Sequence, residues 1–381
     1  MTGRNGRDTL YLALPVGPTH GWGICGRYIA REMARLTTVR LITDPFQTVG
    51  NEMEDRFLQT LLPSASEFTG TAPLLQGITG KDLMPCRPDL RGRPQIGYTF
   101  FEENILPAES IGNARTQFDV VVTGSSWCKD VLEAHGLENV STIVQGIDPQ
   151  IFHPTPYDKD LFSDRFVVFS GGKFEFRKGQ DLAIRAYKVL QDRHPDVMLV
   201  HSWYNPWSFS LDTMRSSPYI RFAPSSTDYF AAMNQVLNDN GIDVSRVIAL
   251  PPRPNALMAQ FYRQTDVGLF PNRCEGGTNL VLMEYMACGK PVVASWSTGH
   301  KDVLTGENAI LIRNMGRLHI RNGESLVAVW DDPNLEETIE QLEWAYRNRE
   351  KLKAIGRQAG EDLQRFTWTE TARQFLGLLR N

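Results

Sequence analysis

The chain has 381 residues, 41% of them hydrophobic, and a formal net charge of −4. That length suits two domains or one large one, and the charge balance excludes the basic footprint of a nucleic-acid binder. Five cysteines without a CxxC pair argue against a disulfide framework or a structural zinc site and point to a reducing, cytoplasmic compartment.

No apolar run reaches the ~18–20 residues needed to span a bilayer; peripheral association with the inner face of a membrane stays open. Behind Arg4 and Arg7, the run LYLALPV reads as a buried strand rather than a signal peptide. Asp8 interrupts the basic segment, and no small-residue cleavage site follows. In chain order the expected elements are a strand at Leu10–Val16, a glycine-rich loop at Gly17–Gly26, a helix to about Leu36 and a strand at Val39–Thr43. QIGYTFF, DVVVTGSS and NVSTIVQG are three further short strands, and Ser125 or Ser126 caps a helix starting at Trp127.

Pro149, Pro154 and Pro156 then mark an irregular segment. A second unit follows with the same grammar: the strand RFVVFS, the loop GGKFEFRKG, the helix QDLAIRAYKVLQDR and the strand VMLVHSW. RVIAL, DVGLF, PVVAS and AILI complete it, and Trp368 to Leu379 reads as an amphipathic helix. Alternating strands and helices imply parallel sheets. The fold class is therefore α/β, two doubly wound Rossmann-like domains facing a cleft, with residues 1–150 forming one and 151–365 the other. Ligands of such domains bind outside the carboxyl ends of the strands, so the loops after strands carry the site.

The loop PNRCEGG follows the strand DVGLF. Thr278 or Asn279 can cap the next helix, which runs to about Cys288, where Gly289 and Pro291 stop it. A helix start beside Gly276 and Gly277 favours an anionic, oxygen-rich ligand. Glu275 on the turn accepts hydrogen bonds from hydroxyls, and Glu284 inside the helix accepts from a diol. In SGGKFEFRKGQDL, Gly171 and Gly172 let backbone approach a ligand. Lys173 and Lys178 can neutralise a diphosphate as it departs. The bland alternatives are a solvated basic loop and ordinary helix glutamates; the joint register of loop, cap and stop weighs against them.

These residues resemble the retaining glycosyltransferases of the GT-B fold, the large family four that holds sucrose synthase and many bacterial mannosyl- and glucosyltransferases. The resemblance rests on Gly172-Lys173-Phe174-Glu175-Phe176-Arg177-Lys178-Gly179, on EGGTNLVLMEYMACGKPVV, and on Gly146-Ile147-Asp148-Pro149-Gln150-Ile151-Phe152-His153-Pro154. It is strong over residues 140–310. It implies a metal-independent hexosyltransferase that takes a nucleotide-sugar, UDP-linked, as co-substrate, with no cofactor and with an acceptor that the residues do not identify. By the resemblance, Lys173 and Lys178 hold the diphosphate, Glu275 the donor sugar and Glu284 the ribose. Gly277, Thr278, Asn279 and Leu280 offer backbone groups, and Arg253 lies near the base. It also implies that a C-terminal helix, about 366–381, crosses back onto the first domain. The family has seven residues between its two glutamates; this chain has eight. Lys173 stands where arginine is usual, which keeps the charge without the bidentate fork.

On the first domain, His20, Gly21, Trp22 and Gly23 belong to a loop bordering donor or acceptor. Glu102 and Glu103, at the expected start of a helix, are candidates to orient an acceptor hydroxyl or amine or to act as a base. Tyr204 and Trp207 read as a packing cluster or as stacking groups for a ligand. Two rival functions remain. Gly21, Gly23 and Gly26 spell GxGxxG with Asp44 18 residues on, a fingerprint of NAD(P)-dependent oxidoreductases; a sugar-nucleotide-binding protein without turnover also fits. Asp158-Lys159-Asp160 forms a DxD, read as solvated.

Overall fold

The computed structural model describes residues 9–43, 45–63, 68, 70–155 and 159–380. Arg4, Arg7, Asp8, Asp44, Pro156 and Asp158 lie outside the described residues.

Two six-stranded sheets organise the chain. The first contains β1 (Thr9–Ala13), β2 (Thr38–Leu41), β3 (Leu74–Gly77), β4 (Gln95–Thr99), β5 (Val120–Thr123) and β6 (Val140–Thr142) in the order β2-β1-β3-β4-β5-β6. The second contains β7 (Phe166–Gly172), β8 (Val197–Trp203), β9 (Val247–Ala249), β10 (Val267–Phe270), β11 (Val292–Ser295) and β12 (Ile310–Ile312) in the order β12-β11-β10-β7-β8-β9. Every pairing within both sheets is parallel. Such sheets are covered on both faces, so their strands read as continuous apolar runs. β7 shows the cause: Phe166 and Val168 enter one core, Val167 and Phe169 another.

The expected loop at Gly17–Gly26 is corrected: the helix Gly21–Ala34 begins within it. A Cβ on Gly26 would lie 2.0 Å from the Pro15 carbonyl oxygen, so this glycine allows the helix to close on the strand exit. Glu102 and Glu103 do not start a helix; the next one spans Ala108–Gln117. Ser125 is the cap expected near residue 127, its side chain accepting from the Cys128 N–H. β3, which sits between β1 and β4, was passed over because the polar Gln76, although fully buried, breaks its apolar run.

Also passed over was the antiparallel hairpin of β13 (Met315–Asn322) and β14 (Ser325–Pro333). Its polar, half-exposed strands lack a buried run. Its signal was Gly323 as the first of the two loop residues, Gly323 and Glu324, between the paired Asn322 and Ser325, a position that favours glycine and where Gly323 has φ 60°. The hairpin reaches across to the segment after β4. Trp330 Nε1 donates to the Glu102 carbonyl (2.7 Å), and Asn104 exchanges two side-chain hydrogen bonds with the Val329 backbone (3.0 and 2.8 Å).

The helix Trp368–Arg380 packs Trp368, Phe375 and Leu379 into the core of the first sheet, with Trp368 stacked on Tyr28 at 5.3 Å. The two chain passages between the halves run side by side: the Ile147 N–H donates to the Phe366 carbonyl (2.8 Å), and the Trp368 N–H to the Ile147 carbonyl (3.3 Å). Among the described residues, no helix is long and apolar enough to cross a membrane.

Candidate functional site

The carboxyl ends of both sheets open on one cavity of about 610 Å³. Its walls are the loops after β1, β4 and β6 on one side and after β7, β8, β9 and β10 on the other.

Glu275 sits at its floor, buried. One carboxylate oxygen accepts from Lys178 Nζ (2.5 Å) and from the Asn272 side-chain amide; the other accepts from Arg177 Nη1 at 3.4 Å. Burial works against its charge, but Lys178 and Arg177 outweigh it and hold the pKa down at about 2. The same burial lowers the Lys178 pKa, against the pull of Glu275.

Arg177 was not singled out by sequence, yet it joins three carboxylates: Glu175 (2.7 Å), Glu102 (3.2 Å) and Glu275. Burial disfavours its charge; these partners more than compensate. The run KFEFRK displayed all three cations, but only folding brings Glu102 and Glu275 to the middle one. Lys173 is the more open lysine, 3.3 Å from Glu175 and 5.2 Å from the Trp207 ring centroid.

The helix Leu280–Ala287 starts behind Asn279, whose φ of 63° is left-handed and whose side chain accepts from the Leu282 N–H (3.4 Å). Asparagine tolerates this conformation better than most residues. Its amide faces His300 Nε2 at 3.2 Å. Burial lowers the His300 pKa. Nδ1 lies 3.0 Å from the Ser295 carbonyl, so the proton sits on Nδ1 and Nε2 accepts from Asn279. His300 is thus a buried support for the turn, invisible to local pattern.

Glu284 projects from this helix into the cavity and accepts from Asn255 Nδ2 at 2.5 Å. Asn255 in turn accepts from Tyr28 OH (3.3 Å), and its N–H donates to the Pro18 carbonyl (3.0 Å), so a residue missed by sequence joins Glu284 to the first half. Burial pushes the Glu284 carboxyl up to about 8, offset only in part by Asn255 and Arg27.

The remaining candidates divide. Gly172, Gly277, Leu280 and Arg253 line the cavity, as do His20, Gly21, Trp22, Gly23 and Glu102. Gly276, Thr278 and Glu103 do not line it. A Cβ on Gly276 would meet the Phe101 carbonyl oxygen at 2.4 Å, and its own carbonyl accepts from Ser125 Oγ at 2.7 Å. This glycine therefore lets the two halves touch, where the sequence suggested close approach of a ligand. Thr278 donates inward to Met283 Sδ (2.9 Å).

His20 precedes the helix and faces Trp207 across the cleft at 4.8 Å. Trp22 packs edge-on against Phe100 at 4.8 Å. Tyr204 packs on Tyr229, while Trp207 stays 38% exposed in the cavity wall. The GxGxxG glycines are helical: Gly23 packs on Gly17 and Gly26 on Pro15. They do not form the turn at a strand end that a dinucleotide requires.

Residues 220–319 match the family model described as glycosyl transferases group 1. The chain is 26% identical over 254 residues, 64% of its length, to D-inositol 3-phosphate glycosyltransferase 1 of Catenulispora acidiphila. It spans about half the length of the curated relatives it matches (52% and 50%). In structure it is similar to sucrose-phosphate synthase from Thermosynechococcus elongatus, with a TM-score of 0.67 at 16% identity, covering 98% of both chains. It is equally similar to Anabaena HepE solved with UDP and glucose, TM-score 0.67 at 16% identity, covering 98% of this chain and 100% of that one. With its two parallel sheets and the cleft between them, the chain has the GT-B fold of these solved structures, and its residues 220–319 carry the match to glycosyl transferases group 1.

Proposed function

We propose that the chain transfers a hexose-type sugar from a UDP-linked donor to an acceptor hydroxyl, with retention at the anomeric carbon and without a metal ion. The observation that carries this reading is the convergence of an ionised Glu275, the cations Lys178 and Arg177 and the diol acceptor Glu284 on one cavity between the halves. The helix start at Asn279 adds a partial positive charge aimed at anionic groups. The known complexes of HepE with UDP, UDP and glucose, and UDP-glucose support the choice of base and sugar. The relatives' names specify D-inositol 3-phosphate as acceptor; nothing in the cavity requires that acceptor here.

In this proposal residues 151–365 carry the donor, and residues 1–150 with the helix at 366–381 carry the acceptor. Glu284 accepts from the ribose hydroxyls and Glu275 from the sugar hydroxyls. Lys178, Arg177 and Lys173 neutralise the diphosphate, the role a divalent cation plays elsewhere. The bond from the anomeric carbon to the phosphate oxygen breaks, the bond to the acceptor oxygen forms on the same face, and the acceptor proton passes to the departing phosphate. Glu102 lies on the acceptor side.

Thermal shift with UDP-glucose, GDP-mannose and NAD(P)H, followed by assay of slow UDP release without acceptor, tests the reading. A UDP-sugar raises the melting temperature and is hydrolysed. Stabilisation by NAD(P)H alone would replace this reading with the oxidoreductase, and stabilisation without hydrolysis or transfer with the binding protein.

The Glu284 carboxyl gives a pH prediction. Its folded pKa, about 8, is above the 4.5 of a free glutamate, so the unfolded chain releases this proton first. Its contribution to stability is full below pH 4.5 and is lost as pH rises through 8. UDP-glucose, whose ribose donates to the ionised form, binds roughly tenfold more tightly at pH 8.5 than at pH 6.5. Calorimetric titration at both values checks this, and Glu284→Gln flattens the dependence. At pH 8.5, where the Glu284 carboxyl is mostly ionised, Glu284→Ala weakens binding by about 2 kcal/mol, the scale of a hydrogen bond to a charged group.

A further inference from the structure

The charges around the cavity are unevenly distributed. Among the described residues, the lysines and arginines that line it are Lys173, Arg177, Lys178 and Arg253, all from the second half. Three already face carboxylates: Lys178 on Glu275 at 2.5 Å, Arg177 on Glu102 at 3.2 Å and Glu175 at 2.7 Å, and Lys173 on Glu175 at 3.3 Å. A nucleotide-sugar adds two negative charges to this set, and a free nucleoside diphosphate about three near neutral pH, so the cations are then outnumbered.

The wall from the first half offers a different chemistry. Trp22 and Phe100 form an edge-to-face aromatic surface at 4.8 Å, beside the amides of Gln47 and Gln145 and the carboxylate of Glu102. His20 adds no cation near neutral pH, since burial and Lys173 lower its pKa. Aromatic rings cover the apolar face of a ring polyol, and an amide or carboxylate accepts from its hydroxyl or amino groups. A phosphate monoester on this wall would meet Glu102 and the donor diphosphate, while the one lining cation that faces no carboxylate among the described residues, Arg253, comes from the second half in the loop after β9; uncompensated like charge is strongly disfavoured.

We infer that the acceptor is an unphosphorylated ring polyol, a sugar or cyclitol with hydroxyl or amino groups, seated between the Trp22–Phe100 surface and Glu102. This rests on the donor reading above and makes the acceptor differ in charge from the one in the relatives' names.

The test is calorimetric titration of the full chain, first with UDP alone and then, UDP-saturated, with matched pairs: myo-inositol and its 3-phosphate, glucose and glucose 6-phosphate, glucosamine and glucosamine 6-phosphate. Failure of UDP to bind in the first step would remove the donor reading and is seen separately. With UDP bound, at least one parent polyol is expected to bind about tenfold more tightly than its ester. Glu102→Gln, which removes one negative charge and keeps the shape, narrows that gap. A panel in which every parent that binds is matched by its ester overturns the inference, as does a panel in which no parent binds, or a gap unchanged in Glu102→Gln.

Discussion

Under the proposed transfer from a UDP-sugar, Lys178→Met lowers kcat by about 10²–10³-fold, the usual cost of losing one preorganised charge from a buried transition-state site. Lys178 is the nearest cation to Glu275, at 2.5 Å, whereas Arg177 stands at 3.4 Å. Charge on the departing diphosphate grows as the anomeric bond breaks, so the loss falls on the transition state more than on donor binding. Single-turnover UDP release measures it directly. A variant with altered KM and unchanged kcat would confine Lys178 to ground-state binding. The same variant alters acid stability. Glu275 has a folded pKa of about 2, below its ordinary 4.5. Its contribution is therefore present above pH 4.5 and lost as pH falls through 2. Acid titration of Lys178→Met shows a smaller version of that loss, because one of the two cations is gone.

Arg273→Met lowers folding stability by about 3–5 kcal/mol, the range for removing one partner of a buried ion pair. Arg273 and Asp181 have no side-chain exposure, and their pairing is bidentate, at 2.8 and 2.9 Å. Arg273 also donates to Asp332 in the hairpin (2.8 Å) and to the Phe176 carbonyl (2.7 Å). One side chain thus ties the loop after β10 to the Lys178 loop, to the helix Gln180–Arg193 and to β14. Urea denaturation measures the change. Adding Asp181→Leu recovers part of the loss, since two apolar groups leave fewer buried charges without partners. A midpoint unchanged by Arg273→Met would show that the network adds nothing to stability.

Legibility followed burial and chain distance. The strands of the second sheet were readable because both faces are covered, which makes each an apolar run. The hairpin at Met315–Pro333 was not, because it is half-exposed and carries charge along both strands. The helix Leu280–Ala287 was readable from its cap and its stop. The helix Gly21–Ala34 was misjudged at its start because glycine is a poor helix former, and here tertiary packing on Gly17 and Pro15 overrides that preference.

Local sequence determined the alternation of elements, a cap at Thr278 or Asn279, the stop at Gly289 and the presence of glutamates and lysines on loops after strands. These depend on groups within a few residues of each other. Tertiary structure alone decided that Arg177 meets Glu102 and Glu275, that Asn255 joins Tyr28 to Glu284, and that Gly276 serves contact between the halves. Those partners are separated along the chain in a way no periodicity records. Their energies come from charge and hydrogen bonding in a site that excludes water, and that exclusion exists only once both sheets have formed and faced each other.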